Sequence, residues 1–130
     1  IYGDGTRKIN TTTLDSIAQS VVGVLSNPAP FKNKYVRVHD FYVSQNEIKA
    51  ALESVTGSPF EVETVDVDAL EENTSAGLAR GEYTHENIYG LITAYIFGKT
   101  SSASWGEEDE SGAVGLTKKD LQTEIRKVVD

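Results

Sequence analysis

Two short pairs, His39-Asp40 and His85-Glu86, join an imidazole to an acid and are the first places to look for chemistry. Metal binding needs two or three ligands converging from a short spacing or a fold-defined cluster. Neither pair extends to H-E-x-x-H or an equivalent, so the residues favour no metal. His39 reads as a loop or strand-end residue, and His85 as a solvated imidazole in the first turn of a helix. Asp66, Asp68, Glu71 and Glu72 lie close together, but paired acids serve glycoside chemistry only when a cleft fixes their separation. Here they fall on a strand edge and at a helix start, where acids suit the helix dipole. The acidic run Glu107 to Glu110 lacks the D-x-[DN]-x-[DN]-G pattern of a calcium loop. Ser101, Ser102 and Ser104 have no G-x-S-x-G elbow around them. Gly3-Asp4-Gly5 lacks the third glycine of a dinucleotide fingerprint, since Lys8 stands at that position and a strand follows. It reads as a turn.

Tyr89, Tyr95, Phe97 and Trp105 carry a different signal. Ligand cavities are mostly apolar with a few polar anchors, and loops often carry them. Tyr89 and Phe97 can line such a cavity, with Trp105 on a polar loop as its lid. The competing reading is that the tyrosines and Phe97 are helix–core contacts, as their spacing permits.

The elements that must position these residues follow from periodicity and punctuation. Ile1-Tyr2 reads as the end of one strand and Arg7 to Asn10 as another, joined by Gly3-Asp4-Gly5 as a hairpin turn. Thr12-x-x-Asp15 resembles a capping box. Helical spacing runs from Leu14 to Leu25 and stops at Asn27-Pro28-Ala29-Pro30. Tyr35 to Val38 alternates and predicts a strand. Ser44-Gln45-Asn46-Glu47 is a clean capping box for a helix over Ile48 to Val55, with Gly57 at its left-handed end. Phe60 to Val67 alternates strictly and predicts a second strand, with Glu61, Glu63 and Asp66 toward solvent. A weak helix spans Ala69 to Arg80, interrupted near Asn73 to Ser75 and at Gly77. A stronger one spans Thr84 to Phe97, with Ile88, Leu91, Ile92, Tyr95 and Ile96 as its apolar face. Lys99 to Gly115 reads as loop, and Thr117-x-x-Asp120 opens a last amphipathic helix. The sum is an α/β or α+β fold with few strands and about five helices.

The 130 residues amount to one domain, with 38% apolar and 25% charged residues. A net charge of −8 disfavours nucleic acid and anionic membranes. The chain has no cysteine, which excludes disulfides and thiolate nucleophiles. No apolar stretch approaches the ~20 residues of a membrane span, and no signal peptide is visible.

Three stretches, "GDGTRKINTTTLDSIA", "KYVRVHDFYVSQNEIKAALESVTG" and "GLTKKDLQTEIRKVV", together resemble the C-terminal portion of NmrA-like and isoflavone reductase-like proteins, particularly fungal ones. These are atypical short-chain dehydrogenases. Matching positions are Gly3, Asp4, Gly5, Lys8, Asp15, Ile17 and Ala18, then Ser44, Asn46 and Glu47, then Val55-Thr56-Gly57. The resemblance implies a single C-terminal substrate-binding domain over residues 1–130, with an N-terminal Rossmann domain upstream of Ile1. That absent domain would hold NADP(H) and the catalytic residues, so no catalytic or cofactor-binding residue carries over and the fragment alone is expected to be inactive. The hairpin and Thr11 to Leu14 would border the substrate cleft, which makes Thr12, Tyr89, Phe97 and Trp105 the expected substrate contacts. The implied function is an NAD(P)H-dependent, cytoplasmic reductase of a small aromatic molecule. The alternative is a non-catalytic NAD(P)-sensing regulator that binds a protein partner.

Overall fold

The computed structural model describes residues 1–99 and 103–129, so Ser101 and Ser102 of the serine cluster lie outside the described residues. Five helices and a two-stranded antiparallel sheet make a mixed α/β fold, as the element pattern predicts. Strand β1 (Lys8–Thr11) pairs with β2 (Phe41–Ser44), with Lys8 opposite Ser44 and Thr11 opposite Phe41.

The expected N-terminal hairpin does not form. Gly3 and Gly5 do adopt positive φ, +62° and +71°, and Thr6 closes the turn by donating to the Asp4 carboxylate. However, Tyr2 bridges Val65 in parallel rather than pairing with β1. Asn46 holds the turn from the other side: its side chain donates to the Asp4 carbonyl and its backbone N–H to the Gly5 carbonyl. The turn's acceptors thus go to a helix start, and the two strands it joins find separate partners.

Helix α1 spans Leu14–Ser26 and ends, as the prolines require, just before Pro28. Thr13, not Thr12, is its cap, accepting from the Ser16 N–H at 3.3 Å. The orientation of α1 is unexpected. Ser16 and Ser20 are buried, while Leu14, Ile17, Val21, Val22 and Leu25 are exposed. Its polar side and Gly23 meet a short 3₁₀ turn, Ser111–Val114.

Tyr35 to Val38 is not a strand in this structure. The Arg37 carbonyl accepts from Glu110 N–H, and Arg37 N–H donates to the Glu110 carboxylate, both at 2.8 Å. Its neighbour is a loop, and alternation without a backbone ladder does not make a strand. Phe60 to Val67 is corrected in the same way: residues 60–64 are irregular and exposed, and only Val65 is bridged.

Helix α2 (Gln45–Thr56) carries the full capping box. Ser44 Oγ accepts from Glu47 N–H, and the Glu47 carboxylate accepts from Ser44 N–H at 2.7 Å. Gly57 ends it at φ +70°. Ser44→Ala should lower stability by about 1 kcal/mol, read as a shifted urea midpoint at unchanged slope; an unchanged midpoint would remove the cap's role.

Helix α3 (Val67–Ala79), capped by Asp66, runs unbroken through the expected interruption. Gly77 is tolerated because the Asn87 side chain of α4 (His85–Phe97) fills the space a side chain would need. Gly90 likewise faces Thr74, so small residues let α3 and α4 approach closely. Helix α5 (Leu121–Val129) starts at Asp120, which accepts from Thr123, rather than at Thr117. It packs Ile125 toward α2. Buried apolar side chains are few and mostly small: Ala51, Val67, Ala94, Val114, Leu116 and Ile125.

Candidate functional site

Strand β1 ends in a segment that gathers polar groups. Asn10 is a poor strand former, and its side chain has another task. Its Oδ1 accepts from Ser104 Oγ at 2.7 Å and from Trp105 N–H at 3.1 Å, while its Nδ2 donates to the Gly106 carbonyl at 2.7 Å. This clamp holds Trp105 beside Thr12, whose hydroxyl donates to the Val38 carbonyl at 3.2 Å. Thr12, Ile17, Val36, Val38 and Trp105, with Tyr35 and Arg37, line an open cleft of about 590 Å³.

Behind Trp105 lies His39, 6% exposed, with ring centroids 6.4 Å apart. Trp105 Nε1 and His39 Nδ1 are both buried and have no hydrogen-bond partner among the described residues. Ser111 Oγ bonds the His39 backbone at both its N–H and its carbonyl. Burial pushes the nearby Asp109 carboxyl up, but Ser111's hydroxyl and N–H, with His39 and Lys118, bring it below the usual range.

Asp40 organises the start of α1. Its Oδ2 accepts from Thr13 N–H at 2.7 Å and Thr13 Oγ1 at 2.8 Å, and its Oδ1 from Ser16 Oγ at 2.8 Å. Lys119 donates to Thr13 Oγ1 at 2.8 Å and pairs with Asp15. Burial raises the Asp40 pKa, but these three hydrogen bonds and the Lys119 charge outweigh it and hold the carboxyl below its ordinary value. The arrangement fixes the helix that walls the cleft. The cleft itself presents apolar walls, the Thr12 side chain and one cation, Arg37; it is suited to holding a flat apolar molecule rather than attacking it.

Thr12 and Trp105 therefore come together as expected, while Phe97 and Tyr89 lie elsewhere. Phe97 stacks on Tyr2, centroids 5.2 Å apart, beside a second cavity of about 720 Å³ that Val65, Val67 and the Asp68–Lys99 ion pair also line. Tyr89 is 61% exposed and stacks on His85 at 5.6 Å. Asn10 and Lys119 were not singled out from sequence, and Asp40 only as the acid beside His39. Asn10 had a usable signal, an amide in an otherwise β-prone strand; Lys119 had none, and nothing local tied Asp40 to the start of α1. Among the described residues no cluster of three or more His, Asp or Glu forms a metal centre, and no helix is long and apolar enough to cross a membrane.

The curated relatives that match this chain carry the name oxidoreductase. Oxidoreductase poxI of Penicillium oxalicum is 31% identical over 134 aligned positions, which take in 99% of this chain and 42% of the relative. The protein of the same name from strain 114-2 matches to the same extent. The chain thus spans less than half the length of these relatives. No family model and no solved structure matches it.

Proposed function

We propose that this chain is the substrate-side part of an NADP(H)-dependent oxidoreductase of the NmrA-like, isoflavone reductase-like group. The observation that carries this reading is likeness to an oxidoreductase across 99% of the chain, joined to an apolar cleft that has an aromatic wall, Trp105, and a polar anchor, Thr12. A small planar aromatic molecule suits that cleft, because its faces can stack on Trp105. Phe97 and Tyr89 are not neighbours of this cleft in the structure, and the proposal rests on Thr12 and Trp105.

The Gly3–Gly5 turn is unlike a dinucleotide's phosphate loop: it leads into a strand, not a helix, and the Asn46 side chain fills the space beside Gly5. The nucleotide would be held by a part of the longer protein outside this sequence. The expected compartment is the cytoplasm, as the family resemblance implies.

The test uses the longer protein that contains this sequence. NADPH oxidation is followed with planar aromatic carbonyl compounds, and fluorescence is compared between wild type and Trp105→Phe. Substrate should quench the Trp105 component and NADPH should leave it nearly unchanged. Trp105→Ala should raise KM about tenfold, the loss expected for one aromatic contact. A Trp105 component that answers to no turned-over substrate would sink the cleft assignment. NADP(H) binding without turnover, joined to nucleotide-dependent capture of a protein, would favour a sensing regulator instead.

A further inference from the structure

Asn10 grips the loop that carries Trp105 by its main chain. One side-chain amide reaches three consecutive residues: its Oδ1 accepts from Ser104 Oγ and Trp105 N–H, and its Nδ2 donates to the Gly106 carbonyl. Ser104 Oγ in turn accepts from Gly106 N–H at 3.0 Å. The backbone on both sides of Trp105 is therefore tied to β1. Its ring is not held in the same way. The indole N–H is buried without an acceptor among the described residues, and His39 Nδ1 behind it is buried without a partner too. The two ring centroids lie 6.4 Å apart with the planes tilted by 55°, and neither nitrogen bonds the other. Buried donors are nearly always paired, and one left unpaired destabilises the arrangement that holds it. Hydrogen bonds thus fix where Trp105 stands and leave its N–H uncommitted. The other polar groups of the cleft are engaged: the Thr12 hydroxyl donates to the Val38 carbonyl, and the Arg37 guanidinium pairs with Glu108 at 2.8 Å. Among the described residues that line the cleft, the indole N–H is the one buried donor without a partner.

We propose that Asn10 is the positioning residue of the cleft and that the Trp105 indole N–H is its specificity contact. With the main chain held by Asn10, the indole turns about its Cα–Cβ bond and donates to an oxygen on the edge of the bound ligand. That bond satisfies a donor which the ligand-free arrangement leaves unpaired, so the gain appears only when the ligand brings an acceptor. The ligand is then a planar aromatic molecule with an acceptor oxygen, such as a ring ketone. A plain arene of the same shape is held by stacking alone. The inference rests on the reading of the Thr12–Trp105 cleft as the substrate site, and it adds the atom by which that site chooses.

The test uses the longer protein labelled with ¹⁵N at its tryptophan indoles, where the resonance lost in Trp105→Phe identifies Trp105. The probes are fluorenone and fluorene, two planar molecules of like shape that differ by one carbonyl. Fluorenone should bind about tenfold tighter, the effect of one neutral hydrogen bond, and should move the Trp105 indole proton downfield; fluorene should not. In Trp105→Phe, which keeps an aromatic face, and in Asn10→Ala the preference should fall below about threefold. Without ligand, Asn10→Ala should speed exchange of the Trp105 indole proton with solvent by about tenfold. Unchanged exchange in Asn10→Ala overturns the positioning role. Fluorenone bound with the indole resonance unmoved overturns the specificity contact, as does an ordered water that bridges the indole N–H to His39 Nδ1 and persists in the complex. Equal binding of both probes, each quenching Trp105, removes this inference and leaves the cleft assignment standing. If neither probe binds and no turned-over substrate quenches Trp105, the cleft assignment falls and this inference falls with it.

Discussion

Asp40→Ala should cost this chain about 3 kcal/mol of stability, the range expected when a buried charged acceptor is removed from several donors. Asp40 is 7% exposed and accepts from Thr13 N–H, Thr13 Oγ1 and Ser16 Oγ. Without it, the buried Ser16 hydroxyl and the Thr13 N–H lose their acceptor. Chemical denaturation reads the loss directly, and a change below 1 kcal/mol would mean that water replaces the carboxylate. A pH series gives the second readout. The folded pKa of Asp40 lies below its ordinary value of 3.8. Its contribution is therefore fully present above that value and is lost as pH falls through the folded pKa. Asp4, Asp15, Glu47 and Glu53 are lowered as well, by hydrogen bonds or ion pairs. Asp40→Asn should therefore flatten the acid limb of the stability curve without abolishing it.

Gly23→Ala should also destabilise, against what helix propensity alone predicts. Alanine in place of glycine inside a helix ordinarily gains up to ~1 kcal/mol. At Gly23 a Cβ would run into the backbone carbonyl of Val114, in the 3₁₀ turn that packs on α1. Backbone yields poorly, and overpacking of this kind costs roughly 1–3 kcal/mol. The expected net is a loss of about 2 kcal/mol, measured by thermal or urea unfolding. A gain would mean that α1 and the Ser111–Val114 turn can slide apart.

Local chemistry was readable in the sequence, and tertiary pairing was not. Ser44-x-x-Glu47 and Gly57 set both ends of α2 because caps act within one turn of backbone. The extent of α1 was equally legible from its spacing and its prolines. Its facing was not: periodicity marks an apolar side but does not say what lies against it. Tyr35 to Val38 and Phe60 to Val67 alternate as strands do, yet a strand exists only with a partner, and neither finds a ladder among the described residues. Gly77 looked like a break in α3 because glycine weakens an isolated helix; opposite Asn87 it is what allows the close approach. Of the candidate site, Thr12 and Trp105 were named from residue type and resemblance, and the structure places both on one cleft. Asp40 was noticed only as the acid beside His39; its hold on the start of α1 spans 27 positions in sequence, a distance over which no local pattern reports.

The segment from Ile1 to Thr13 takes its bonding partners from far down the chain: Glu63 and Val65 at its start, Ser104 to Gly106 at Asn10, and Lys119 at Thr13. A ribosome delivers this segment well before those partners. Strand β1 can pair as soon as Ser44 has emerged, but Asn10 must wait 96 residues for Gly106, and Thr13 waits 106 for Lys119. Contacts so distant in sequence carry large closure entropies and form slowly. The Trp105 wall of the cleft is consequently a late piece to be assembled, and a nascent chain released before Ser104 would have α1 to α4 without the residues that Asn10 clamps.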